Sequence, residues 1–124
     1  MTTVAELMNK GLLWVGPSTT VAEAATMMGE RRVGSALVME GDALLGIFTE
    51  RDIVKALGEH FDAAKHQVSE WMTRNPTTVP PDAPARDALK TMLDGGFRHL
   101  PVLDGDHVIG VVSMRDLSRL ESEA

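Results

Sequence analysis

Two kinds of hydrophobic spacing alternate along the chain, and the alternation predicts its elements. Val21, Ala24, Ala25 and Met28 recur at i, i+3, i+4 and i+7, as do Ala85, Ala88, Leu89 and Met92. That is the stripe an amphipathic helix lays against a core. Thr20 with Glu23 makes a capping box for the first helix, and Pro84 after Asp82 opens the second. Two short apolar runs follow each helix, Ala36 to Met39 with Leu44 to Phe48, and Leu100 to Leu103 with Val108 to Val112. Glu40-Gly41-Asp42 and Asp104-Gly105-Asp106 separate the runs, each with a glycine able to take the positive φ of a tight hairpin. Ahead of each helix comes a brief strand, Leu12 to Val15 or Thr77 to Val79, stopped by Pro17 or by Pro80-Pro81. Short helical pieces, Val4 to Asn9 and Val68 to Thr73, precede those strands. Closing helices are expected from about Asp52 to Leu57 and from Asp116 to Leu120.

The whole arrangement occurs twice. A shift of 64 residues (116 − 52) superposes Val4, Glu6 and Met8 on Val68, Glu70 and Met72. It also superposes Val15, Pro17, Ala24, Met28, Val38, Gly41, Asp42, Gly46, Arg51 and Asp52 on Val79, Pro81, Ala88, Met92, Val102, Gly105, Asp106, Gly110, Arg115 and Asp116. An internal duplication accounts for this. Residues 1–58 form the first repeat, 59–66 a linker and 67–124 the second. Each repeat runs α-β-α-β-β-α, so the fold class is α/β (α+β). A small half sheet with helices on one face leaves its other face apolar, so the repeats are expected to pack through their small sheets about a pseudo-two-fold axis. The connection holds Gly58, Glu59, His60, Asp62, Lys65 and His66 and reads as a surface segment, with Phe61 its expected anchor.

Composition narrows the function. A chain of 124 residues can bury roughly two-thirds of its unfolded surface and needs no staple. There is no cysteine, which excludes disulfides and thiolate metal sites and suits a reducing interior. The first residues lack the basic and apolar regions of a signal peptide, and no apolar run is long enough to cross a bilayer, so a soluble cytoplasmic protein without membrane insertion is expected. A net charge of −6 works against nucleic-acid binding. The aromatics Trp14, Trp71, Phe48, Phe61 and Phe97 are too scattered for a nucleic-acid stacking platform. Catalysis finds no constellation, and no enzyme is expected. His60, His66, His99 and His107 have no metal-ligand spacing, and there is neither a Ser-His-Asp arrangement nor a nucleophile elbow. No metal site is expected. Met27, Met28 and Met92 fall at helical spacing and read as core.

The stretch Gly46-Ile47-Phe48-Thr49-Glu50-Arg51-Asp52 returns as Gly110-Val111-Val112-Ser113-Met114-Arg115-Asp116. A strand running into a hydroxyl residue with an acid three positions on is a helix N-terminus, which reads either as a plain capping box or as an anion-accepting site. Around it, Gly-Ile-Phe-Thr-Glu-Arg-Asp-Ile at 46–53 and Gly-Val-Val-Ser-Met-Arg-Asp-Leu at 110–117 carry a family resemblance. Phe-Arg-His-Leu-Pro-Val at 97–102, Val-Ala-Glu-Leu-Met at 4–8 and Val-Ser-Glu-Trp-Met at 68–72 extend it. Over nearly its whole length the chain resembles a tandem pair of CBS domains, the arrangement called a Bateman module.

The resemblance implies a regulatory module that senses adenosine compounds, AMP, ADP or ATP first, and S-adenosylmethionine or NAD as alternatives, in two clefts between the repeats. One cleft would use Thr49, Arg51 and Asp52 with Val79, Arg98, His99 and Pro101. The other would use Ser113, Arg115 and Asp116 with Val15, Gly34, Ser35 and Leu37. A carboxylate such as that of Asp52 or Asp116 can accept both hydroxyls of a ribose. Thr49 or Ser113, helix-start N–H groups and the arginines suit a phosphate, and Val79 and Pro101 could line a slot for adenine. Arg51 and Arg115 fit a dimer-surface ion pair equally well, and Arg98-His99 also reads as a solvated strand start. Repeat one has Gly34-Ser35-Ala36-Leu37 where repeat two has Arg98-His99-Leu100-Pro101, so the first cleft is expected to hold phosphate better. The resemblance further implies a homodimer, with Leu57 and Leu120 at its interface, acting on a separate effector protein. The competing reading is a ligand-free interaction module.

Overall fold

Packing sorts the chain into two compact units that divide it elsewhere than the sequence repeats do. In the computed structural model, which describes residues 1–120, Leu13–Pro76 forms one unit, contiguous in sequence. Met1–Leu12 joins the described residues from Thr77 onward in the other, composite unit. The last four residues of the second sequence repeat, 121–124, lie outside the described residues.

The contiguous unit holds β1 (Trp14–Val15), α2 (Val21–Arg31), β2 (Ser35–Glu40), β3 (Ala43–Thr49), α3 (Glu50–Glu59) and β4 (Thr73–Arg74). The composite unit holds α1 (Val4–Leu7), α4 (Ala85–Gly95), β5 (His99–Asp104), β6 (His107–Ser113) and α5 (Met114–Leu117). The contiguous unit's sheet runs β1-β2-β3-β4, with β1 parallel to β2 and the other pairs antiparallel. The composite unit repeats that plan with fewer residues. Its β5-β6 hairpin is flanked by a parallel bridge of Val79 to Val102 and an antiparallel bridge of Asn9 to Val111.

The strand β4 was not visible in the hydrophobic pattern. The helical piece expected from Val68 to Thr73 is a single 3₁₀ turn, Val68–Glu70, followed by β4 pairing with Gly46 and Ile47. Likewise α1 stops at Leu7, and Asn9 instead bonds Val111 through both backbone groups, at 2.8 and 3.0 Å. The opening segment of each sequence repeat therefore closes the unit built by the other. Val68 and Met72 lie in the core of Val15, Val21, Ala24, Met28, Val38 and Phe48, whereas Val4 and Leu7 lie with Ala88, Met92, Leu100, Val112 and Leu117. The repeated glycine follows from this closure. A Cβ at Gly46 would meet the Thr73 carbonyl oxygen at 2.6 Å and Met72 Sδ at 2.7 Å, and one at Gly110 would meet Met8 Sδ at 2.5 Å.

Local signals hold where they are strongest. Thr20 Oγ1 accepts the Glu23 N–H and Glu23 accepts the Thr20 N–H, both at 3.1 Å, closing the expected capping box. Hydrogen bonding to the Thr20 backbone N–H, and then to the Thr20 side chain, holds the Glu23 carboxyl below its ordinary range. Gly41 and Gly105 take φ of 60° and 62° in the two hairpins. Helix α2 ends on Arg32 at φ 56°, where its counterpart Gly96 adopts φ 73° at no steric cost.

One expectation needs correction. Phe61 does not anchor the linker, being 99% exposed. The anchor is Ala63, fully buried in a 3₁₀ turn (Ala63–Lys65), while the His66 carbonyl accepts the Val21 N–H at 2.8 Å and ties the segment to the start of α2. A large side chain was credited where a small one fits against the helix. Leu57 is exposed, whereas Leu120 is partly buried against the composite unit's core. No helix among the described residues is long and apolar enough to cross a membrane.

Candidate functional site

Each unit carries one strand-to-helix corner with the repeated acid. Thr49 ends β3 as the N-cap of α3, and Ser113 ends β6 as the N-cap of α5. Asp52 Oδ2 accepts the Thr49 N–H at 2.8 Å and the Thr49 hydroxyl at 3.2 Å. Asp116 Oδ2 accepts the Ser113 N–H at 2.9 Å, and there the hydroxyl turns the other way, accepting the Asp116 N–H at 3.0 Å. The two acids also differ in electrostatics. Burial pushes the Asp52 carboxyl above its ordinary range, outweighing the Thr49 hydrogen bonds and the fields of Lys55 and Arg51. Asp116 has a cation close by, Arg119, whose Nη2 lies 4.0 Å from Oδ1 and donates to the Leu7 carbonyl at 2.7 Å.

Within each unit the corner sits beside that unit's own strand start, which the sequence reading assigned to the other residue set. Ser35 pairs with Thr49 across β2 and β3, and His99 pairs with Ser113 across β5 and β6. The Gly34 carbonyl accepts the Glu50 N–H at 3.2 Å, and the Arg98 carbonyl accepts the Met114 N–H at 2.8 Å. Some helix-start donors that the sequence reading offers to a phosphate are thus already engaged within the fold. The carboxylates are engaged as well, each accepting its own N-cap N–H through Oδ2.

The contiguous unit brings Thr49, Arg51 and Asp52 together with Val15, Gly34, Ser35 and Leu37. The composite unit brings Ser113, Arg115 and Asp116 together with Val79, Arg98, His99 and Pro101. Each residue set named from the sequence draws one half from each unit. Arg51, Arg98 and Arg115 are exposed, Pro101 and Leu37 are buried, and Ser35 is the one buried polar residue among those described. Val15 turns its side chain into the unit's own core. The Val79 N–H donates to the Pro101 carbonyl at 3.1 Å, so these two expected slot residues are bonded neighbours. Arg119 and Trp14 are the residues the sequence reading passed over. Arg119 had a signal, a cation three positions beyond the helix-cap acid, whereas Trp14 became visible only through the alternation of β1. Among the described residues no cluster of His, Asp or Glu could hold a metal ion.

A fold built of two such corners on two matching half sheets defines a duplicated domain, and comparison with known proteins assigns the family. The CBS domain pattern matches residues 4–59 and 68–123, and the chain belongs to the CBS domain family. It is 39% identical over 120 residues to an uncharacterized 17.7 kDa protein of Acidianus ambivalens, covering 95% of this chain and 72% of that protein. It is 41% identical over 104 residues, 82% of this chain, to the CBS domain-containing protein CBSCBSPB5 of Arabidopsis thaliana, but spans only 19% of it. Among solved structures it is similar to the CBS domain pair of protein MJ0100 in complex with 5-methylthioadenosine and S-adenosyl-L-methionine. That match has a TM-score of 0.90, 29% identity, and covers 99% of this chain and 98% of the other. It is also similar to CBSX2 in complex with AMP, at TM-score 0.84 and 27% identity, covering 99% and 98%. CBS-domain pairs bind adenosine-containing ligands and are generally regulatory modules.

Proposed function

We propose that the chain is a non-catalytic sensor of adenosine compounds, AMP, ADP or ATP first, which signals as a homodimer to a separate effector protein. The observation that carries the reading is the corner itself. In both units a carboxylate is fixed by its N-cap N–H at 2.8 or 2.9 Å, beside a strand start, with an exposed arginine adjacent in sequence. A carboxylate so held can accept a ribose diol without reorganising. The AMP bound by CBSX2 and the adenosine ligands of MJ0100 support the ligand class by similarity.

The set of Thr49, Arg51, Asp52, Val79, Arg98, His99 and Pro101 is the better phosphate binder, because Arg98 stands where the other set has Gly34. Calorimetric titration of Asp52→Ala and Asp116→Ala with AMP and ATP tests the ranking, and equal losses in both variants would remove it. A thermal-shift panel with AMP, ADP, ATP, S-adenosylmethionine and NAD tests the sensor reading, since a ligand at 100 times its Kd stabilises by ~2.7 kcal/mol. One observation favours the ligand-free alternative. Val54, Leu57 and Phe61 are exposed along α3 and the turn after it, a ready apolar face for a second copy. Absence of any shift across the panel, with a dimer in light scattering, would select that reading.

A further inference from the structure

We infer that Trp14 is a stacking platform for the base of the ligand, on the sheet face of the contiguous unit that carries Ser35 and Leu37. This deepens the sensor reading and rests on it. Strand alternation sends Val15 into the unit's core, so its neighbour Trp14 stands on the opposite face of β1. There it lies in register with Leu37, which is in register with Ile47 on β3, making one apolar row across three strands. Leu37 and Ile47 are buried at 1% and 5% exposure, whereas Trp14, at the sheet's edge, is 65% exposed. A buried apolar row that ends in an open indole offers a planar wall rather than a filled core position.

The chemistry next to that wall is polar and oriented. Ser35 and Thr49 pair with each other two residues along the same face, about 7 Å away along the strands. A base on the indole and hydroxyls at the Ser35 end would fall within the span of one nucleoside. The equivalent position in the other repeat is Thr78, so the platform belongs to one site only. It lies next to Val15, Gly34, Ser35 and Leu37, the half of the second residue set that this unit supplies. An aromatic face accepts any base by stacking, so Trp14 contributes affinity for the ring, while its edge is read by other groups.

The test is calorimetric titration of the intact chain with adenosine, AMP, S-adenosylmethionine and ribose 5-phosphate, for wild type, Trp14→Ala and Trp14→Phe. The base-containing ligands are expected to weaken about 5- to 150-fold in Trp14→Ala and to be largely rescued in Trp14→Phe. Ribose 5-phosphate, which has no base, should bind wild type and Trp14→Ala alike. Ligand should also change the indole emission in wild type and leave it unaltered in Trp14→Phe, where Trp71 is the remaining indole. Unchanged thermal midpoints would show that the variants fold. Tight binding of the adenosine compounds that persists in Trp14→Ala, with no emission change in wild type, overturns the platform and leaves the sensor reading standing. Failure of wild type to bind any adenosine compound overturns both.

Discussion

Replacing Asp52 by asparagine separates the two roles of its carboxylate, in the fold and toward a ligand. In the fold, Oδ2 accepts the Thr49 N–H at 2.8 Å, and an asparagine oxygen can take that bond as a neutral one. The charge assistance lost is about 1 kcal/mol. Against it stands the cost of half-burying a charge, which already pushes the Asp52 carboxyl upward despite Lys55 and Arg51. The two effects oppose each other and are of similar size, discounted for the site's partial exposure, so the ligand-free variant is expected within about 1 kcal/mol of wild type. The pH dependence has a definite sign. Because the folded carboxyl holds its proton more tightly than the unfolded one, its contribution to stability is fully present below the ordinary carboxylate range and is lost as pH rises through the raised folded value. Asp52→Asn should lack that decline. Toward a ribose diol the same change removes one acceptor and the charge behind both, a loss of roughly 1.5–3 kcal/mol, or about 10- to 150-fold in Kd. Urea unfolding between pH 4 and 8, with calorimetric titration of AMP, reads both quantities on one variant. A fall of more than about 2 kcal/mol in ligand-free stability, with AMP affinity unchanged, would refute the argument and leave Asp52 as a cap.

Other consequences are simpler to measure. Gly46→Ala and Gly110→Ala place a methyl against Thr73 and Met72, or against Met8, and each should cost roughly 1–3 kcal/mol in denaturant unfolding. Arg32→Gly relieves a left-handed helix end and should raise stability by about 0.5–1 kcal/mol, seen as a higher thermal midpoint, whereas Gly96→Ala should lower it. Leu57→Glu, on the exposed face of α3, should shift light scattering toward the monomer without lowering the unfolding midpoint of that monomer.

What the sequence disclosed, it disclosed through periodicity and repetition. The stripes of α2 and α4, the hairpin glycines and the paired Thr49/Asp52 and Ser113/Asp116 corners each follow from local rules, and each stands where expected. The rest was hidden for identifiable reasons. Strand β4 is two residues long and exposed, so it carries no hydrophobic signature, and its existence depends on Gly46 admitting Thr73. Phe61 was credited with burial because of its size, yet the linker turn has room only for Ala63. The closing helix expected to run to Leu120 ends at Leu117, and Leu120 lies partly buried against the core beyond it. The burial that pushes the Asp52 carboxyl upward and the Arg119 side chain beside Asp116 both depend on tertiary packing, which the matching Thr/Ser-x-Arg-Asp motifs do not reveal.

The crossing of opening segments sets an order of events during synthesis. Residues 13–76 supply every residue of their unit's own core cluster, so that core can assemble before residues beyond Pro76 are made. Val4 and Leu7 must wait for Leu100, Val112 and Leu117, made some ninety to over a hundred residues later, before they have a core to enter. Closing that long loop is an entropic step that the contiguous unit never faces. During that interval residues 1–12 are the less protected part, so limited proteolysis of a released chain truncated near residue 90 should leave a resistant fragment that begins beyond Leu12.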